Sequence, residues 1–152
     1  MNKHELIDVT NEFLKKAKPG IGTIRYEKGF NFKNHKQGKV TALWLLDTFG
    51  GDIVVLKENH RYRLKNPDYK WNEKFWELKG VPSKTSLDNL VIKSIEQIFE
   101  KPGGIIINLL KDYKNMSEIK SILSERLYTK RIHEIFIVVK KGKHLVKVYY
   151  KQ

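Results

Sequence analysis

The stretch Pro67-Asp68-Tyr69-Lys70-Trp71-Asn72-Glu73-Lys74-Phe75-Trp76-Glu77-Leu78-Lys79 leaves the backbone few choices. Aromatic and charged residues alternate on both sides of Asn72-Glu73, as in two antiparallel strands joined by a two-residue turn. Counted outward from that turn, Trp71 faces Lys74, Lys70 faces Phe75, Tyr69 faces Trp76, and Asp68 faces Glu77. Side chains alternate between the two faces of a strand. Asp68, Lys70, Phe75, Glu77 and Lys79 are therefore expected on one face, with Tyr69, Trp71, Trp76 and Leu78 on the other. The aromatic face is expected to meet a helix and join the core, not to stack on bases.

Residues directly opposed on paired strands have their β-carbons about 5 Å apart. Two carboxylates so placed repel by roughly 3 kcal/mol at an effective dielectric near 20. Either one keeps a proton or a cation sits between them. A divalent metal answers the second case, because hard cations take carboxylate oxygens and activate water near neutral pH. Lys79, two residues along on the same face, could then orient the nucleophile or stabilise charge developing on a phosphorane. In the plainer alternative the hairpin is solvated and Lys70 and Lys79 simply pair with the acids.

Around the hairpin the pattern alternates between helical and extended periods. His4 to Ala17 reads as a helix stopped by Pro19-Gly20, and Gly22 to Tyr26 as a short strand followed by a polar, basic segment from Glu27 to Lys36. Lys36 to Phe49 reads as a second helix ended by Gly50-Gly51, and Asp52 to Leu56 as a buried strand. Thr85, three residues before Asp88, is placed to cap a third helix carrying Leu87, Leu90, Val91, Ile95 and Ile98. Pro102-Gly103-Gly104 is expected to turn the chain into the strand Ile105 to Leu109. Ser117 is expected to cap a fourth helix, and a last hairpin is expected to turn at Lys141-Gly142-Lys143. Neither a linker nor a repeat interrupts this order, so all 152 residues are expected to form one mixed α/β domain.

Charge narrows the partner. Thirty Lys and Arg against 17 Asp and Glu leave +13, which suits a polyanion such as nucleic acid. With no cysteine, a disulfide framework and a thiolate metal site are both excluded. No apolar run approaches membrane-spanning length, and the N-terminus lacks the apolar core of a signal peptide.

From Lys36 to Leu109 the order helix, strand, strand, strand, helix, strand resembles the restriction-endonuclease-like core of the PD-(D/E)xK nucleases, with Pro67-Asp68 and Glu77-Leu78-Lys79 at the motif positions. Gly50-Gly51-Asp52-Ile53, PDYKW, FWELKG, Lys84-Thr85-Ser86, Gln97 and PGGIIIN resemble more narrowly the C-terminal nuclease domain of contact-dependent growth inhibition toxins. Related domains end phage minor head proteins. The likeness runs from about Asn34 to Tyr149, with the core at about 34–110 plus an added helix and C-terminal hairpin. It implies cleavage of tRNA or DNA in the cytoplasm of a target bacterium after delivery in a larger effector. It also implies a divalent metal (magnesium or manganese, or else zinc) and a cognate immunity protein. Asp68 and Glu77 would bind metal and Lys79 would be the catalytic lysine.

One departure stands out: where the family commonly has a glutamate on the first core helix, this chain has Gln37-Gly38. Gln37 can ligate a metal through its carbonyl but brings no charge; Asp47, further along, is a substitute. His35 is a candidate general acid or base. Lys36, Lys70, Lys84, Thr85 and Gln97 are candidate substrate contacts, as are Lys33, Lys39 and the basic loop Lys57 to Lys65. Two alternatives stay open: a metal-independent RNase using His35, Lys79 and Thr85, and a non-catalytic nucleic-acid-binding domain on the same scaffold.

Overall fold

A computed structural model of the chain describes residues 6–33, 36–57, 67–82, 84–98, 102–110, 116–128 and 134–151. In order, the elements are β1 (Ile7–Asp8), α1 (Thr10–Lys16), β2 (Gly22–Tyr26), α2 (Lys36–Thr48), β3 (Gly51–Val55), β4 (Tyr69–Trp71), β5 (Lys74–Val81), α3 (Lys84–Gln97), β6 (Pro102–Leu109), α4 (Met116–Tyr128), β7 (Ile135–Lys141) and β8 (His144–Lys151). The strands form one eight-stranded sheet in the order β1-β8-β7-β6-β5-β4-β3-β2. Pairings β2–β3, β5–β6 and β6–β7 are parallel, and β1–β8, β3–β4, β4–β5 and β7–β8 antiparallel. The fold is mixed α/β, and β2, β3, β5, β6 and β7 all end on the same side of the sheet.

Helices cover both faces. α3 and α4 bring Leu87, Val91, Ile95, Ile98, Ile119, Leu123 and Leu127 against Val81, Ile105, Ile107, Ile137 and Val139. On the other face α2 brings Ala42, Trp44 and Leu45 against Ile53, Val55, Tyr69, Trp71, Trp76, Ile106 and Val138. Each such side chain, removed from water, contributes roughly 1.5–3 kcal/mol before ordering costs. Phe13 of α1 touches Trp71 of β4 and Phe136 of β7, three strands apart, with ring centroids at 6.2 and 5.3 Å.

The hairpin has the expected ladder: Tyr69 opposes Trp76, Lys70 opposes Phe75, and Trp71 opposes Lys74. Asn72 and Glu73 both take positive φ, 50° and 69°, the backbone that keeps the right-handed twist across a two-residue turn. The turn is fastened to β3, because Asn72 Oδ1 accepts from Asp52 N and Asn72 N donates to Asp52 O, each at 3.0 Å. A β-carbon on Gly51 would run into the Asn72 and Trp71 side chains, so this approach requires glycine.

Four expectations are corrected. The segment expected as one helix from His4 to Ala17 divides, with Ile7 and Asp8 pairing with Tyr150 and Tyr149. Asp8 Oδ1 then accepts from Thr10 N at 3.0 Å and starts the shorter α1. Access to the open edge of β8 outweighs helical periodicity there. Pro102-Gly103-Gly104 is strand, not turn, because the bare glycines let the Trp76 indole lie on the backbone of β6. α3 begins at Lys84 and α4 at Met116, so Thr85 and Ser117 lie inside first turns instead of preceding them.

Candidate active site

β4 has no backbone ladder beyond Tyr69, and Asp68 finishes its edge with a side chain. Asp68 N donates to Trp76 O at 3.1 Å, and its Oδ2 accepts from Leu78 N at 2.7 Å. Its own carbonyl accepts from Leu56 N at 3.0 Å, which ties the same residue to the end of β3. Asp68 is thus held by strands on both sides, and its carboxylate stands where a strand carbonyl would have been.

Glu77 alternates with the core residues Trp76 and Leu78 and shares the α3–α4 face with Phe75 and Val81. It is 4 % exposed, and as a carboxylate it leaves Oε1 buried without a hydrogen-bond partner. Its Oε2 lies 3.4 Å from Lys79 Nζ. Burial above all, then a hydrogen bond to Asp68 and the Asp68 charge, push the Glu77 carboxyl up to about 9 against the opposing pull of Lys79. Two acids and one amine therefore meet on this ribbon. At neutral pH without a cation, Glu77 keeps its proton.

The first turn of α2 is moored beside Asp68, but on the opposite face of the sheet. Tyr69 is fully buried, and its hydroxyl donates to Gly38 O at 2.7 Å. Burial above all, then the Asp68 charge, holds that phenol well above its usual range, so it remains a donor. Gln37, next to Gly38, is exposed. Asp47 lies nine residues beyond Gly38, about 14 Å of helix rise, which takes it to the far end of α2.

The other candidates divide. Lys36 is exposed at the start of α2, while Lys70 is bonded to Glu73 across the turn at 3.3 Å. Trp71, Trp76 and Tyr69 are core, so base stacking on them is ruled out by burial. His35 and the loop from 58 to 66 lie outside the described residues, as do the side chains of Lys84, Thr85 and Gln97.

The donor set suits a hard cation. Two carboxyls, one with an orphaned buried oxygen, match magnesium or manganese better than zinc, which favours nitrogen and sulfur. Among the described residues no group of three His, Cys, Asp or Glu gathers, so protein carboxylates would be supplemented by water, substrate oxygen or an amide such as Gln37.

Some features had no clear sequence signal. Lys140 is 4 % exposed, with its ammonium 4.9 Å from the Trp44 ring centroid, and burial lowers its pKa. The Trp44 indole N–H in turn donates to Lys143 O at 2.9 Å. Only a lysine in phase with the buried residues of a strand hinted at this. Phe30 and Phe32, set inside a segment that looked merely polar and basic, form an aromatic cluster with Tyr26.

Compared with protein-family models, curated proteins and solved structures, the chain matches none of them. No helix among the described residues is long and apolar enough to cross a membrane.

Proposed function

We propose that the protein is a metal-dependent nuclease of bacterial toxin type that hydrolyses phosphodiester bonds in tRNA or DNA. The observation carrying this reading is the buried Glu77 carboxyl beside the anchored Asp68, with Lys79 3.4 Å away. An acid whose buried site holds its proton until about 9, and would orphan one oxygen on ionising, is an expensive arrangement to bury for structure alone. The element order α2-β3-β4-β5-α3-β6 agrees with the restriction-endonuclease-like core that the motifs resemble. The parallel strands β2 and β3 end beside Asp68, and the carboxyl ends of strands are where open α/β sheets commonly bind ligands.

Asp68 and Glu77 would hold the metal, with Gln37 as a neutral addition. When bound, the cation would supply positive charge that keeps Glu77 ionised and favours charge building on phosphorus oxygens. Asp68, fixed through Oδ2 to Leu78 N, supplies a ligand with little freedom to lose. Glu77 must give up its proton for the site to form. Lys79 then has one carboxylate oxygen to leave and a phosphate oxygen to meet, stabilising the pentacoordinate phosphorus as water's oxygen bonds to it and the ester oxygen departs. The +13 charge attracts the polyanion. Within the same reading, the chain acts in the cytoplasm of a target bacterium, and an immunity protein neutralises it.

Incubation with total tRNA and with plasmid DNA, each with magnesium, manganese or chelator, tests the proposal. Cleavage that needs metal and vanishes in Asp68→Asn is expected. Chelator-resistant cleavage would favour the RNase built on His35, Lys79 and Thr85. Salt-sensitive binding without turnover under any metal would favour the non-catalytic domain.

A further inference from the structure

We infer that the aromatic knoll Tyr26–Phe30–Phe32, with the lysines around it, is a stacking platform for an unpaired nucleotide of the substrate. The inference rests on the nuclease reading for its setting and adds the substrate class: nucleic acid single-stranded beside the bond that is cut.

Three aromatic rings meet here. Ring centroids lie 4.9 Å apart for Tyr26–Phe32, 5.1 Å for Phe30–Phe32 and 5.3 Å for Tyr26–Phe30. Tyr26 and Phe30 are half-buried and fixed to the core of the α2 face, whereas Phe32 is 49 % exposed. Its position is set by the backbone: Phe30 N donates to Glu27 O at 3.0 Å, and Lys33 N donates to Asn31 Oδ1 at 3.0 Å. A phenylalanine braced in water by two turns forgoes the burial that would stabilise it, which a protein core would not require.

The charge around the ring selects its ligand. Lys39 Nζ stands 5.2 Å from the Phe32 ring centroid. Residues 28–39 hold Lys28, Lys33, Lys36 and Lys39 and no acid, and all four lysines are exposed. A base would take the Phe32 π-face in place of the Lys39 ammonium that now stands over it, leaving that ammonium to meet a neighbouring phosphate. A paired base has both faces covered by its stack, so the platform takes an unpaired one.

The knoll, on the α2 face, lies at the same end of the sheet as the acids on the opposite face. Tyr26 is in register with Val55, and Val55 with Tyr69, the residue after Asp68. Two strand spacings, about 10 Å, separate the Tyr26 and Tyr69 backbones. A single strand crossing the ends of β2, β3 and β4 can therefore reach both places.

The test is fluorescence anisotropy in chelator, using Asp68→Asn protein and labelled oligonucleotides of one sequence: single-stranded RNA, single-stranded DNA and blunt duplex. Adding Phe32→Leu, which keeps an apolar group on Tyr26 and Phe30, should weaken both single strands about 5- to 100-fold and the duplex by less than about twofold. The RNA and DNA arms show which sugar is preferred. Phe32→Trp should retain affinity, and its indole emission should be quenched by single strands. Equal weakening for duplex and single strand overturns the inference, as do unchanged affinity in Phe32→Leu with an unaltered melting temperature, and failure of Asp68→Asn protein to bind any oligonucleotide. Cleavage plays no part in this assay. Intact single-strand selectivity in a protein that cuts nothing would sink the nuclease reading alone, and metal-dependent cutting with Phe32-independent binding would sink the platform alone.

Discussion

Replacing Glu77 with glutamine should make the metal-free protein more stable, and increasingly so as pH rises. In the unfolded chain this carboxyl ionises near 4.5; in the folded protein, burial first and then Asp68 hold its proton until about 9. Between those values the folded state binds one more proton than the unfolded state, so this group's contribution to stability falls as pH rises. The full effect approaches 1.36 kcal/mol per pH unit, or about 4 kcal/mol between pH 5 and 8 as an upper bound. Lys79, 3.4 Å from Oε2, and water entering the site reduce it, and about 2 kcal/mol is the expected size. The glutamine amide mimics the protonated acid, can donate to Asp68 and does not titrate. Urea or thermal melts of both proteins at pH 5, 6, 7 and 8 in chelator should show the gap widening in favour of Glu77→Gln. At the scale of this chain it should open by about 4–8 °C. Curves that stay parallel within about 0.5 kcal/mol would mean that Glu77 is ionised in the folded protein, and the reasoning from its burial would be wrong.

Three further outcomes follow from the same hairpin. Asp68→Asn keeps an acceptor for Leu78 N and should melt close to the parent, whereas Asp68→Ala strands that N–H and should cost about 1–3 kcal/mol; both should abolish cleavage. Tyr69→Phe removes the bond to the Gly38 carbonyl and should cost about 1 kcal/mol by chemical denaturation, with a larger fall in kcat/KM if the seating of the first turn of α2 matters to the site. Glu73→Gly relieves a non-glycine residue at φ 69° and should raise stability by up to about 1 kcal/mol, since the exposed contact with Lys70 is worth little.

The hairpin could be read from sequence because alternation and turn chemistry are local. Trp71, Trp76 and Tyr69 lie in the core as their spacing required, and the ladder from Trp71–Lys74 to Tyr69–Trp76 is the one expected. The carboxylate of Asp68 was harder to foresee. Counting put it opposite Glu77 in a continuing ladder, whereas its backbone bonds Trp76 and its side chain bonds Leu78. A side chain standing in for a carbonyl leaves no periodic trace. Ile7-Asp8 was misjudged for a similar reason, because the edge it completes lies at the far end of the sequence. Phe32 carries no legible signal because its neighbours are polar and its ring partners, Tyr26 and Phe30, are local but obey no helix or strand period.

Both outermost strands of the sheet, β1 and β2, come from residues 7 to 26, while everything between them is made later. During synthesis β1 must wait for β8, because Ile7 and Asp8 find their partners only at Tyr150 and Tyr149. Until then the flank of β8 presents unpaired backbone, open to a second nascent chain. Ile7 and Asp8 act as a clasp that can close only once β8 is made. Shortening them should be felt less in the chemistry of the acids than in the yield of monomer.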